Sequence, residues 1–193
     1  MQIIIFDTET HGLPKNYSAS CEIPGAWPRI LELGWEVYYY DPTLRIHKLI
    51  KKKTELISFS DGFQITDSFS LKRFNTKTNN LFGVDIKELL QEFISDRESC
   101  RYSVGHNISY DRKIVRSEMF RNGFKNEFKS KSICTMQESR RLCNLPKLKF
   151  PRLEELHFKL FGSKFADAHN AGADVSATSR CFFELVKRGI IKI

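Results

Sequence analysis

Apolar and polar positions change rhythm along the chain, and each rhythm predicts an element. The opening segment, Gln2 to Thr8, is a β-branched apolar run, Ile3-Ile4-Ile5-Phe6, that ends in Asp-Thr-Glu-Thr. A run of that kind predicts a central strand, and the turn formers Gly12 and Pro14 predict that it feeds a loop. Residues 15–28 carry Gly, Ser and two prolines without periodicity and read as a surface loop. A second strand is predicted over Ile30 to Tyr40, a turn at Asp41-Pro42, and a third strand over Leu44 to Lys51. The stretch 54–83 is polar and irregular, with a short helix around Phe69 to Phe74.

From Val84 the period lengthens. Ile86, Leu89, Leu90, Phe93 and Ile94 fall at i, i+3, i+4, i+7 and i+8, which is one face of an amphipathic helix. A short strand, Tyr102 to His106, precedes a helix from Ile108 to Arg121 that Asn122-Gly123 stops. A strand near Ile133, a helix near Met136 to Leu142, and a helix opened by Pro151 with Leu153, Leu156 and Leu160 on one face come next. The last helix runs from about Ala173 to Arg188 and presents Thr178, Cys181, Phe182 and Leu185 as one stripe. Strands first and alternation afterwards imply an α/β architecture, a mixed sheet with helices on its faces.

Composition narrows the class without naming it. With 193 residues, 41% hydrophobic and 28% charged, the chain suits one folded domain and excludes collagen, coiled-coil and disordered classes. Its apolar runs are too short to span a bilayer, and the first lacks the basic flank and cleavage site of a signal peptide, so a cytoplasmic protein is expected. A net charge of +8 points to a polyanionic partner class. Five cysteines with no CxxC pair indicate reduced thiols rather than a disulfide framework or a zinc knuckle.

Four acids and a histidine carry the candidate chemistry. Asp7 and Glu9 are two apart on a strand, so the pleat sends both side chains to one face at the end of a buried run. Carboxylates held close in a half-buried place repel unless a cation joins them, and their oxygens suit Mg²⁺ or Mn²⁺; otherwise the strand has ended and both acids are solvated. Asp111 lies on the apolar stripe of its helix, with Ile108, Ile114 and Val115, where an acid must be paired, protonated or metal-bound. A salt bridge to Arg112 or Arg116 is the other reading. Asp174 stands in the first turn of the last helix, where helix capping alone would also place an acid. His169, five residues earlier, has the unperturbed pKa of about 6.5 that suits a general base at neutral pH.

FDTET at 6–10, GHNISYD at 105–111 and HNAGAD at 169–174 resemble the three exonuclease motifs of the DnaQ-like, DEDDh 3'-to-5' exonucleases. They stand in that family's order and spacing, and Arg29-Ile-Leu-Glu-Leu-Gly34 and Leu153-Glu-Glu-Leu156 extend the likeness over nearly the whole chain. The resemblance implies a single DEDDh exonuclease domain over 1–193, with a ribonuclease H-like fold of five strands flanked by helices. It assigns the metal-binding acids to Asp7, Glu9, Asp111 and Asp174 and the general base to His169. It also implies two Mg²⁺ or Mn²⁺ ions, whose charge the four carboxylates would balance.

The activity so implied is removal of nucleoside 5'-monophosphates from single-stranded 3' ends, of DNA in preference to RNA, although ribonucleases such as oligoribonuclease and ribonuclease T use the same motifs. Thr10, His11, Gly12 and Leu13 match the segment that cradles the terminal nucleotide, with Leu13 as an apolar wedge. His106 and Asn107 either fix the loop before their helix or reach the substrate phosphate. The basic residues Lys51 to Lys53, Arg112, Lys113, Arg116, Arg140, Arg141, Lys147 and Lys149 are candidates for a backbone track or for a solvated face.

Two features depart from the family's pattern: Gly172, where a larger apolar residue is usual, and the long 15–28 loop. A second hypothesis keeps the fold as a low-activity nucleic-acid-binding or polymerase-docking subunit, by analogy with replication and repair partners. An aspartyl-phosphate phosphatase is excluded, because that chemistry needs a second Asp where Glu9 stands.

Overall fold

The computed structural model describes residues 1–59, 62–65, 68–73, 83–125, 128–166 and 170–193. Its centre is β1 (Gln2–Thr10), whose core run is fully buried. β2 (Ile30–Asp41) pairs with β1 antiparallel, and β3 (Ile46–Ser58) pairs with β2 in the same sense. On the other side β5 (Tyr102–Gly105) and β6 (Lys131–Cys134) add in parallel.

Among the described residues the sheet has six strands, in the order β4-β3-β2-β1-β5-β6, not the five expected. The added strand, β4 (Val84–Asp85), is two residues long and pairs in parallel with Ile57 and Ser58. A strand that short leaves no alternation in the sequence. Gly83 lets it approach, since a Cβ there would lie 2.1 Å from the Leu56 carbonyl oxygen. Asp85 then ends the strand and caps α2 (Ile86–Glu98), accepting from the Lys87 N–H at 2.8 Å and the Glu88 N–H at 3.3 Å.

β3 also runs seven residues past its expected end at Lys51, because Lys-Lys-Lys-Thr-Glu shows no apolar alternation. Lys51, Lys52 and Lys53 of this strand meet carboxylates. Lys51 meets Glu92 at 2.9 Å and Asp96 at 2.6 Å, Lys52 meets Glu36 at 3.2 Å, and Lys53 pairs with Glu92.

Of the three hydrophobic clusters among the described residues, a small one surrounds Leu31 and Ile65 and the two larger lie on the two faces. On one, Ile4, Phe6 and Trp35 pack with α2 and with α3 (Ile108–Arg121), including Phe93, Ile114 and Val115. On the other, Ile3, Ile5 and Val104 pack with α6 (Leu153–Phe161) and α7 (Ala171–Lys187), including Leu156 and Phe182. Alternation along β1 therefore assigns even positions to the α3 side and odd positions to the α7 side.

The remaining helices differ from expectation at their ends. The segment near Met136 to Leu142 is two short helices, α4 (Thr135–Glu138) and α5 (Arg140–Cys143), divided at Ser139, whose hydroxyl donates to the Thr135 carbonyl at 2.6 Å. A short helix, α1 (Ser68–Arg73), covers most of the expected 69–74 stretch; Phe74 lies outside the described residues. α7 starts two residues early because Asn170 caps it, accepting from the Ala173 N–H at 3.1 Å. The five cysteines are free and buried, and among the described residues no helix is long and apolar enough to cross a membrane.

Candidate active site

Strand parity at the end of β1 builds the site. Asp7 and Glu9 continue the odd positions toward α7, whose first turn carries Asp174, and carboxylate oxygens of these three residues all lie within 4.8 Å of one another. Thr8 continues the even positions toward α3 and meets Asp111 there. The buried Asp111 Oδ1 accepts both the Thr8 N–H at 3.0 Å and the Thr8 hydroxyl at 2.7 Å. Burial pushes the Asp111 carboxyl up to about 7; the two bonds from Thr8 pull against that rise and the charge of Asp174 adds to it. Arg112, one of the two cations considered as its partner, donates instead to the Ser132 hydroxyl at 2.6 Å.

Asp174 is positioned from β2. Asp7 pairs with Gly34, where a Cβ would stand 3.0 Å from the Ala171 carbonyl, so the missing side chain lets the start of α7 sit against the sheet beside Asp7. The buried Glu32 then accepts the Ala171 N–H and the Asn170 side-chain amide, both at 2.9 Å. One turn on, Glu36 accepts the hydroxyls of Ser176 and Ser179, both at 2.7 Å. Burial alone would raise the Glu36 carboxyl, but hydrogen bonds from Ser179, Ser176, Tyr38 and Lys52 outweigh it and hold the group below its ordinary range. Gly172 has a local reason as well: a Cβ there would come within 2.6 Å of Thr54 Oγ1 on β3.

Two clefts flank the acids. The first, about 440 Å³, is lined by Thr8, Glu9, Thr10, Gly12, Leu13, Tyr17, Asn107 and Tyr110. Leu13 projects from its wall with 73% of its surface exposed. Thr10 Oγ1 donates to the Gly12 carbonyl and shares a hydrogen bond with the Tyr110 hydroxyl, each at 3.1 Å. The His11 ring turns elsewhere: Nδ1 accepts the Arg29 N–H at 2.9 Å, and the ring packs edge-on against Phe63. Asn107 has left-handed backbone (φ 69°) just before α3, and its Oδ1 accepts the Ser109 hydroxyl at 3.3 Å.

The second cleft, about 530 Å³, touches Asp7 and Asp174 and is walled by His106, Arg152, Leu153, Glu154 and Phe165. Both nitrogens of His106 are engaged. Nε2 lies 2.9 Å from the Pro151 carbonyl, so it carries the proton, and Nδ1 accepts the Thr135 hydroxyl at 3.0 Å. Burial pushes the imidazole down to about 4, with the Pro151 carbonyl opposing, so the ring is neutral at pH 7. These two bonds tie His106 to Thr135 and to the Pro151 main chain. His169 lies outside the described residues.

Sequence reasoning missed four residues here. Glu32 and Thr8 left no periodic signal that singles them out. Tyr110 and Tyr17, 6.4 Å apart between ring centroids, form an aromatic wall of the first cleft that joins segments far apart in the chain.

No protein-family model matches the chain, and no curated protein matches it. Solved structures do share its fold. Escherichia coli exonuclease I in complex with a dT13 oligonucleotide superposes with a TM-score of 0.71 at 16% identity, over 97% of this chain and 41% of that one. Exonuclease X in complex with 5' overhanging duplex DNA gives 0.60 at 19% identity, over 97% and 93%. A 3'-exonuclease with 3'-end specific recognition of a histone mRNA stem-loop gives 0.68 at 15% identity, over 98% and 83%. The chain spans about two fifths of the length of exonuclease I. The ribonuclease H-like α/β fold of these exonucleases is the fold of this chain.

Proposed function

We propose that residues 1–193 form one metal-dependent 3'-to-5' exonuclease domain that hydrolyses phosphodiester bonds at single-stranded nucleic-acid ends and releases nucleoside 5'-monophosphates. The observation that carries this reading is the meeting of Asp7, Glu9 and Asp174 within 4.8 Å, beside a buried Asp111 and between two open clefts. Three carboxylates that close fit a divalent cation, whose charge offsets their mutual repulsion and whose preferred donors are carboxylate oxygens. Asp7, Glu9, Asp174 and Asp111 would hold Mg²⁺ or Mn²⁺, two ions in the family's arrangement, which when bound supply a Lewis acid and an acidified water.

The chain's own groups divide the rest of the work. Thr8 orients Asp111, and Glu32 and Asn170 orient the turn that bears Asp174. Thr10, Gly12, Leu13, Tyr17 and Tyr110 offer a cradle in which a terminal base meets an apolar wedge and aromatic rings. His169 takes the proton of the attacking water as general base. His106 and Asn107 keep the loop before α3 in place.

DNA is the preferred substrate in this reading, since exonuclease I and exonuclease X are seen with DNA. RNA is the second reading, favoured by the exonuclease of the same fold that recognises an mRNA stem-loop. No polymerase partner is part of the proposal. The test is incubation with 5'-labelled single-stranded DNA and RNA of one sequence, in Mg²⁺, Mn²⁺ or EDTA, beside Asp174→Ala. A metal-dependent ladder shrinking from the 3' end, absent in the variant, is expected. Binding of either strand without shortening would replace the enzyme with a nucleic-acid-binding subunit.

A further inference from the structure

At the other end of the sheet from the acids lies a cavity of about 550 Å³, where α2 finishes and β5 and β6 begin. Its lining holds four cations, Arg97, Arg101, Lys129 and Lys131, with the Ser130 hydroxyl and one carboxylate, Glu98. The backbone there is firm: the Arg101 N–H donates to the Gln2 carbonyl at 2.9 Å, and the Lys131 N–H to the Arg101 carbonyl at 3.1 Å. Tyr102 pairs with Ile3, four residues before Asp7, which puts the cavity roughly 13 Å or more from the acids along β1 at about 3.3 Å per residue.

Arg97 makes this cavity unusual. Its side chain is buried, 4% exposed, with the guanidinium 4.2 Å above the Phe128 ring. Among the described residues its Nη1 has no hydrogen-bond partner. Burial lowers its pKa below the ordinary value, Arg112 adding to the effect and Glu98 opposing it. A guanidinium withdrawn from water is costly unless a partner meets its N–H groups. The fold keeps it here, facing a cavity ringed by three more cations. A doubly charged, multi-oxygen anion answers the four cations, which outnumber the one carboxylate, because it can take the planar fork of Arg97 and still reach its neighbours.

We infer that this cavity is a phosphate-binding site, separate from the carboxylate centre, which receives either a backbone phosphate of a nucleic-acid strand or the phosphate of a free small molecule. It does not rest on the nuclease reading. Arg97 supplies donors from its buried position, beside Ser130, whose hydroxyl shares a hydrogen bond with that of Ser103; Arg101 and Lys131, both exposed, stand at the rim.

Calorimetric titration of the full chain in EDTA, where no hydrolysis can occur, tests it with inorganic phosphate and separately with a dT12 oligonucleotide. The unmodified chain is expected to bind phosphate saturably. The rim variant Arg101→Glu/Lys131→Glu is expected to lose at least tenfold in phosphate affinity. The floor variant Arg97→Met is expected to lose as much while its melting temperature holds or rises, because it replaces a buried cation, whose Nη1 has no hydrogen-bond partner among the described residues, with an apolar side chain. If Arg97→Met fails to fold, the rim variant, altered only at exposed positions, decides alone. Loss of affinity for both ligands identifies the source as a strand, and loss for phosphate alone identifies a free phosphorylated molecule. No saturable phosphate binding, no loss in the variants, or a loss confined to the oligonucleotide, as general charge repulsion would give, overturns the site. A chain without exonuclease activity that still binds phosphate here would leave this inference standing.

Discussion

Thr8 grips Asp111 twice, with its main-chain N–H and its hydroxyl on the same carboxylate oxygen, at 3.0 and 2.7 Å. Strand and helix are joined at this point by a buried group that desolvation alone would keep protonated. Thr8→Val keeps the shape and the N–H and removes only the hydroxyl. It should lower unfolding free energy in EDTA at pH 8 by about 1.5–3 kcal/mol, the usual worth of a hydrogen bond to a charged group, as read by urea denaturation.

Crowding among the acids gives a prediction of the opposite sign. Asp7→Asn removes one charge from a cluster spanning 4.8 Å, so the metal-free protein should melt at the same temperature or higher. Added Mn²⁺ should raise the melting temperature of the native chain and raise that of Asp7→Asn less. An equal rise in both proteins would take Asp7 out of the metal site.

His106 should make the fold sensitive to mild acid. Its pKa is about 4 in the folded chain and about 6.5 when unfolded, so between these values the unfolded state binds the extra proton. The stability that neutral His106 contributes is complete above about pH 6.5 and is lost as pH falls toward 4. Melting temperature in EDTA should drop over that window in the native chain and less steeply in His106→Gln; parallel curves would show that another group is responsible.

Gly172→Ala places a methyl 2.6 Å from Thr54 Oγ1, and should destabilise by about 1–3 kcal/mol as an overpacked contact. Thr54→Ala removes the obstructing atoms, so the double variant should recover most of the loss. A double-mutant cycle with near-zero coupling energy would mean the two residues do not press on each other.

For the proposed base, His169→Ala should slow hydrolysis about 10²–10⁴-fold with the Mn²⁺-induced melting shift intact. Asp174→Ala should remove both. Loss of the metal response in the histidine variant would make His169 a ligand rather than a base.

Much of this architecture was legible because β1 and α3 put chemistry on apolar frames. Asp7 and Glu9 end an unbroken buried run, and Asp111 interrupts a stripe of Ile108, Ile114 and Val115, so each acid stood out against its surroundings. Glu118 carries the same signal, three residues beyond Val115 on that stripe. It is fully buried and accepts from Arg29 at 2.8 Å and Arg121 at 2.9 Å. Glu32 gave no such signal, since its strand is buried along most of its length and its partners lie 138 and 139 residues away. β4 stayed hidden for a different reason: two residues cannot display a period, and the contact that forms the strand depends on the bare backbone of Gly83.

Asp174 stands between two anchors on one strand, Glu32 holding the main chain at Ala171 and Glu36 holding the hydroxyls of Ser176 and Ser179. The third carboxylate therefore has no private hinge. To carry its main chain away, several turns of α7 would have to part from β2, which in a packed helix of 17 residues amounts to opening the core beneath it. If the proposed function holds, heating should leave the spacing of the three acids unchanged until the fold gives way, so that inactivation, release of bound Mn²⁺ and loss of helical signal share one midpoint. Lesions in the middle of β2, away from any substrate, would present as defects of the carboxylate centre.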